Sequence, residues 1–407
     1  MSRPEMMTTE PAQRWAHGLQ EAYFESGGSL YISDSVRWAG PYPCVHIRHP
    51  KYGAKADGVT ADDAALDAAV ADALSANVPL YFDPGTYLLK KTHSFAAGSN
   101  FLRWDAATRG VELKAHADIA GTTPMVTISG NNDPILGPLY FHGNNINVPL
   151  LKVAGNNAMG GGLFGTRFYN YAARAMLQLS GSGLSQFTLD GLLMQGYFTG
   201  VAHLSYGIEL AGVNDPTNLT LRDCRIWGCK TGIGQAAGHL NGTVYNIFGG
   251  SIDDCIYGIN LGTHHMGVNA FGTRFEVSTN DLTAQVEVDA GNTASYGIYA
   301  SGGVATETDH WQGLNIQGCY FTGLKTAAER GIFLQGVRGV QLIGNTAKGK
   351  TGGGDLGVFL SIGTHIHKVR LQGNIDPPED QLGTAIEGNG AGQFTTDNWT
   401  TDQVSTT

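Results

Sequence analysis

Charge is scarce in this chain. Only 15% of its 407 residues are Asp, Glu, Lys or Arg, and acidic residues outnumber basic ones, 35 against 25. A formal charge of −10 excludes the broad basic surface that nucleic-acid backbones require, so no nucleic-acid partner is expected. Cysteine is nearly absent: Cys44, Cys224, Cys229, Cys255 and Cys319 are odd in number, include no C-x-x-C pair and fit no zinc spacing. They read as buried free thiols kept reduced in a cytoplasm. Long hydrophobic runs are missing as well. Nothing approaches the ~20 apolar residues of a membrane span, so no membrane insertion is expected. The opening MSRPEMMTTEPAQRW lacks the apolar core of a secretion signal, which fits either a protein assembled in the cytoplasm and released by lysis or a mature form whose signal has been removed. No Asp-rich calcium cluster is evident, and no metal or other cofactor is expected.

Glycine is what the chain has instead, 58 residues of it. Most informative is Tyr52 to Leu89, YGAKADGVTADDAALDAAVADALSANVPLYFDPGTYLL. Gly53 and Gly58 permit turns with positive φ. Thr60 is a candidate cap for a helix starting at Ala61, with Asp63 as its box partner. Ala65, Leu66, Ala69, Ala73 and Leu74 share one helical face, and Asn77 reads as the stop. Val78, Leu80 and Phe82 alternate as a half-buried strand, and Pro84-Gly85 turns the chain into Thr86 to Leu89.

That order resembles the opening cap of pectate-lyase-like right-handed β-helices, which begin with a YGAKGDGVTDD-type segment, an Ala-rich helix and a VYFPPGTYLL-type strand. Ala56 stands where Gly is common, and Asp83 where Pro is common. The resemblance covers about forty residues. It implies an all-β fold, a right-handed single-stranded parallel β-helix with an N-terminal capping α-helix. Such a solenoid uses its whole length as one quasi-linear domain and hosts many activities.

Internal repeats support the solenoid. NLTLRDCRIWGCKTGI (Asn218 to Ile233) aligns with VYNIFGGSIDDCIYGI (Val244 to Ile259) at an offset of 26, matching Ile226 to Ile252, Cys229 to Cys255 and Gly232-Ile233 to Gly258-Ile259. GCYF around Cys319 and Gly331-Ile332 recur 26 residues later at Asn345 and Gly357-Val358. FGTRF occurs at Phe164 to Phe168 and at Phe271 to Phe275, 107 residues apart, close to four periods. About eight rungs are expected between residues 155 and 375, and three less regular ones from 78 to 154.

The ends differ. Residues 1–50 read as an N-terminal extension or particle-docking segment, with AQRWAHGLQEAYFES as one short helix and SLYIS as a strand. Residues 51–376 form the β-helix with its cap. The rung pattern stops at Asp376-Pro377-Pro378, and 377–407 read as a polar tail.

Catalysis on a filled solenoid must use outward residues and loops. Glycoside hydrolysis needs two carboxylates whose separation sets the stereochemical outcome. SIDDCIYGINLGTHHMG supplies Asp253, Asp254, His264 and His265. It resembles the DDC and GHG motifs of polygalacturonase-like hydrolases, which implies that the aspartates act as acid and base beside a histidine. The matching NTD motif is missing one rung earlier, where Asp223-Cys224-Arg225 stands, and GHG itself is absent. The alternative role for these aspartates is local hydrogen bonding at a turn. Residues 276–310 read as an inserted loop carrying Glu276, Asp281, Glu287, Asp289, Glu307 and Asp309. Here Glu307 or Asp309 is a candidate acid or base, and Trp311 a candidate sugar-stacking residue. Arg167 and Arg274 of the two FGTRF copies are either carboxylate binders or structural ion-pair partners.

The whole resembles a phage tailspike. That resemblance implies a homotrimer in the virion tail that binds and cleaves host lipopolysaccharide or capsule and docks to a tail or baseplate protein through its N-terminal segment. The alternatives are a non-catalytic tail or fibre protein for adsorption and a free polysaccharide hydrolase or lyase; a cellular adhesin fits less well. Phe141, Tyr197, Trp227 and Tyr245 are candidate outward apolar residues for a subunit contact.

Overall fold

The computed structural model describes residues 42–96, 102–106, 110–130, 134–155, 160–170, 174–181, 186–196, 206–211, 218–235, 244–261, 267–277, 295–301, 311–324, 329–349, 358–362, 367–372 and 374, with short strands at 22–24, 30–32, 36–39, 384–388 and 399–402. It is a right-handed parallel β-helix. Strands of 16, 11 and 11 members stack into three sheets, called faces A, B and C here. The chain visits A, B and C in turn, and ten such rungs run from Leu80 to Ile362. The expected registers hold: Ile226 pairs with Ile252 and Ile233 with Ile259, and the FGTRF copies lie four rungs apart.

Each strand alternates a side chain into the core with one outward. On face B the inward row includes Leu113, Phe141, Phe168, Met194, Ile226, Ile252, Phe275 and Phe321, all buried. Phe141 stacks on Phe168 with ring centres 5.2 Å apart, and Phe275 on Phe321 at 5.0 Å. Phe141 and Tyr245 are therefore core residues rather than outward subunit contacts, because register puts them on the inner row. Trp227 does lie outward, and Tyr197 is outside the described residues. The recurring Gly-Ile pairs have a packing cause: a Cβ at Gly232 would meet Gly258 O at 2.5 Å and Ile252 Cγ2 at 2.6 Å. All five cysteines are free and buried. Burial lifts the Cys224 and Cys319 thiols to about 11.

One helix, Asp63–Ala76, is described, and none among the described residues is long and apolar enough to cross a membrane. Ala65, Leu66, Ala69, Val70 and Ala73 bury its inner face, and Asn77 ends it in a left-handed conformation. Its start differs from the Thr60 expectation. Asp57–Ala61 is a strand, and the Thr60 hydroxyl donates to Asp57 at 2.9 Å instead of capping. Asp62 occupies the cap position, but its carboxylate turns back to accept the Lys55 amide at 2.7 Å and the Ala56 amide at 3.2 Å. That pins the turn in which Ala56 takes a φ of 50°, where glycine would be unstrained. Asp83 pairs with buried His46 at 2.8 Å.

At the N-terminal end, Ala22–Phe24, Leu30–Ile32, Val36–Ala39 and Tyr42–His46 form an antiparallel meander that joins face A through a parallel pairing of Val45 with Leu80. Ala22–Phe24, read as helical from its apolar spacing, is thus a strand. Beyond Asp376, Thr384–Gly388 extends face C and Trp399–Asp402 extends face A, both in parallel. Backbone pairing carries the stack past the point where apolar repetition fades.

Candidate functional site

Face B is aimed by its corner with face A. From Phe164 onward each described corner spends two residues, and the first is left-handed, as at Gly165 (φ 62°) and Gly272 (φ 63°). FGTRF is the sequence of that corner. The Phe is the last outward residue of face A, the Gly turns, and the Thr is buried. The Arg then opens face B outward, and the final Phe enters the core. Thr166 donates its hydroxyl to Gly137 O at 2.9 Å, and Thr273 to Gly249 O at 3.1 Å. The repeated motif is therefore structural at its Gly, Thr and final Phe, and its first Phe and Arg are delivered to the outer surface.

Two outward rows run along face B. One contains Glu112, Tyr140, Arg167, Leu193, Arg225, Ser251 and Arg274 in register. The other contains Lys114, His142, Tyr169, Gln195, Trp227, Asp253 and Glu276.

Asp253 is the centre of the first cluster. Its side chain is 5% exposed although it points outward, because Arg225 and Arg274 cover it, with Nε atoms at 3.7 and 3.9 Å. Ser251 donates its hydroxyl to Asp253 Oδ2 at 2.7 Å, while Oδ1 accepts no hydrogen bond from the described residues. Arg225 also lies 4.7 Å from the Trp227 ring centre. Arg274 pairs with Glu276, which neighbours Asp253 across the strands. Two guanidiniums, two carboxylates and an indole thus share one patch, which can bind an anionic group and holds two carboxylates one rung apart.

The site residues expected from sequence fall in different places. Asp253 and Arg274 meet. Asp254 takes a φ of 51° at a bulge where register slips between Asp253 and Cys255. Glu276, expected in the inserted loop, belongs to the strand Arg274–Val277. Trp311 begins the strand Trp311–Gln317, its backbone paired with Val337. Glu307, Asp309, His264 and His265 lie outside the described residues.

A second cluster on face B was not anticipated. Glu112 accepts the Thr86 hydroxyl at 2.9 Å and hydrogen-bonds His142 Nδ1. The His142 bond, with help from Thr86, holds the Glu112 carboxyl below its ordinary range against the opposing effect of burial. Tyr140 lies parallel to His142 with ring centres 5.8 Å apart, and Tyr169 meets His142 edge-on at 5.1 Å. The signal for it was the alternation of YFH and RFY, which places Tyr140, His142, Arg167 and Tyr169 outward once register is known.

Residues 50–125 match the family model described as rhamnogalacturonase A/epimerase, pectate lyase-like. The fold as a whole is the right-handed parallel β-helix. The Streptococcus pneumoniae surface protein and adhesin PfbA has the same fold, with 11% identity, a TM-score of 0.52 and coverage of 85% of this chain and 95% of that one. The Dettilon tailspike protein aligns at 13% identity and a TM-score of 0.40, over 84% of this β-helix and 68% of that chain. Bacteriophage CBA120 tailspike protein 3 aligns at 13% identity and a TM-score of 0.40, over 94% and 64%. No curated protein matches the sequence.

Proposed function

We propose that this β-helix is a tailspike-type receptor-binding protein, a homotrimer that binds an acidic host-surface polysaccharide along face B and cleaves it. The observation that carries the reading is the patch of Arg225, Asp253, Arg274 and Glu276. Guanidiniums suit the carboxylate of an acidic sugar. Asp253 and Glu276 stand on neighbouring strands, about 4.8 Å apart in backbone spacing. That is the scale of a retaining glycosidase pair, whose carboxyls are about 5–5.5 Å apart. Asp253, buried and oriented by Ser251, takes the nucleophile role, and the more exposed Glu276 the acid–base role. His264, His265 and Trp311 remain proposed sugar contacts, and Asp254, Glu307 and Asp309 the alternative carboxylates. In this reading residues 1–50 dock to a tail or baseplate protein, 51–376 meet the glycan, 377–407 form the tail, and the protein resides in the virion tail.

A second reading, a non-catalytic adsorption protein, is favoured by one observation. Asp253 lies beneath two arginines, as in an ion-pair network. One experiment separates them. Purified protein is incubated with lipopolysaccharide and capsule preparations, and new reducing ends, unsaturated ultraviolet-absorbing product and oligomeric mass are measured. Asp253→Asn and Glu276→Gln are each expected to lower product formation about 100-fold or more. Unsaturated product would mark a lyase. Binding without product, unchanged in both variants, would establish the non-catalytic reading.

A further inference from the structure

The cluster of Glu112, Tyr140, His142 and Tyr169 lies far from the Asp253 patch and is not used by it. His142 and Asp253 occupy the same outward row, separated by Tyr169, Gln195 and Trp227. Four strand spacings of about 4.8 Å make that roughly 19 Å. Between them lie Arg167, Leu193 and Gln195, none of which carries a ring. The cluster is organised in a way packing alone does not need. Thr86 and His142 fix both oxygens of Glu112, and Glu112 in turn fixes His142 through Nδ1. His142 Nε2 has no hydrogen-bond partner among the described residues, and the His142 side chain is 23% exposed. The Tyr140 and His142 rings are parallel and offset, and Tyr169 stands at 68° to Tyr140 and 72° to His142, so the three form a partly exposed aromatic cluster. A pyranose fits against such a cluster: its C–H face packs on one ring, and its hydroxyls meet the imidazole nitrogen.

We propose that Glu112, Tyr140, His142 and Tyr169 form a second sugar-binding site, which holds a pyranose of the same polysaccharide chain whose acidic sugar meets Arg225 and Arg274. This rests on reading face B as the glycan-binding face. The chain then lies along the solenoid axis, and the two sites add through effective concentration only when one chain spans both. Tyr140 and Tyr169 supply the ring contacts, with their planes 68° apart. Glu112 acts as a positioning residue through His142.

The test uses the full chain and size-fractionated fragments of polygalacturonate, hyaluronan, polysialate and lipopolysaccharide O-chains, with affinity measured against fragment length. Wild-type affinity is expected to rise at least about tenfold once fragments exceed the span between the sites. Tyr140→Ala/Tyr169→Ala should flatten that rise and leave short-fragment affinity unchanged, whereas Arg225→Ala/Arg274→Ala should abolish short-fragment binding. Tyr140→Phe should restore the rise. An undiminished rise in the tyrosine variant overturns the second site and leaves the function reading intact. Equal loss for short and long fragments, with a lowered melting temperature, assigns the cluster to packing and also overturns it. Failure of wild type to bind any fragment or parent polymer overturns both.

Discussion

Face B carries one row of side chains into the core and two rows out of it, all from the same short strands. The inner row repeats: Leu113, Phe141, Phe168, Met194, Ile226, Ile252, Phe275 and Phe321 are apolar and buried without exception. The outer rows change character along the axis. Near the cap they hold Glu112, Tyr140, His142 and Tyr169, and four rungs on they hold Arg225, Asp253, Arg274 and Glu276. Inside, each residue must fill the space left by its neighbours above and below, so one chemistry recurs. Outside, only the backbone spacing is imposed, and the side chains are free to diversify into sites. The stabilising row and the proposed binding rows thus lie on two faces of one sheet, one residue apart in sequence.

The sharpest way to break this comparison is at neighbours. Phe168 is buried and stacked on Phe141. Phe168→Ala is expected to cost about 3–5 kcal/mol in chemical denaturation, the largest effect predicted for a single change on this face. Glu112 should give a smaller, pH-dependent effect. Its folded carboxyl titrates below the ordinary value, so its contribution is present above the unfolded pKa and lost as pH falls through the folded one. Glu112→Gln should therefore be less stable than wild type near neutrality, and the gap should close in acid; urea melts across that range read it. A gap that widens in acid would contradict the Glu112–His142 bond. Arg167, beside Phe168 but pointing outward, should show the smallest effect: Arg167→Ala is expected to stay within about 0.5 kcal/mol of wild type. Equal costs at Arg167 and Phe168 would remove the division between faces.

Much of the fold was legible because a solenoid repeats. Ile226 over Ile252 and the two FGTRF copies were visible from spacing, and Asn77 from its tolerance of a left-handed end. Thr60 was misread because a nearby Asp57 competed for its hydroxyl, and a hydrogen bond three residues away leaves no periodic trace. Glu276 was misplaced because a rung lengthened by insertion hides where the strand ends. The candidate site was legible only in part. Asp253 and Arg274 stood out as residue types, but Arg225 and Glu276 join them through register. The Glu112–His142 pair spans 30 residues, and Tyr169 lies a further rung on.

By itself, the sequence determined that this chain coils, where its helical cap begins and ends to within two residues, and the inward Ile226–Ile252 column, while Phe141 and Tyr245 were placed in the core only by register. Periodic burial and glycine turns write those features locally. Which outward residues become neighbours was decided only by the tertiary structure. A parallel sheet pairs residues a whole rung apart, and the rung length varies with each loop.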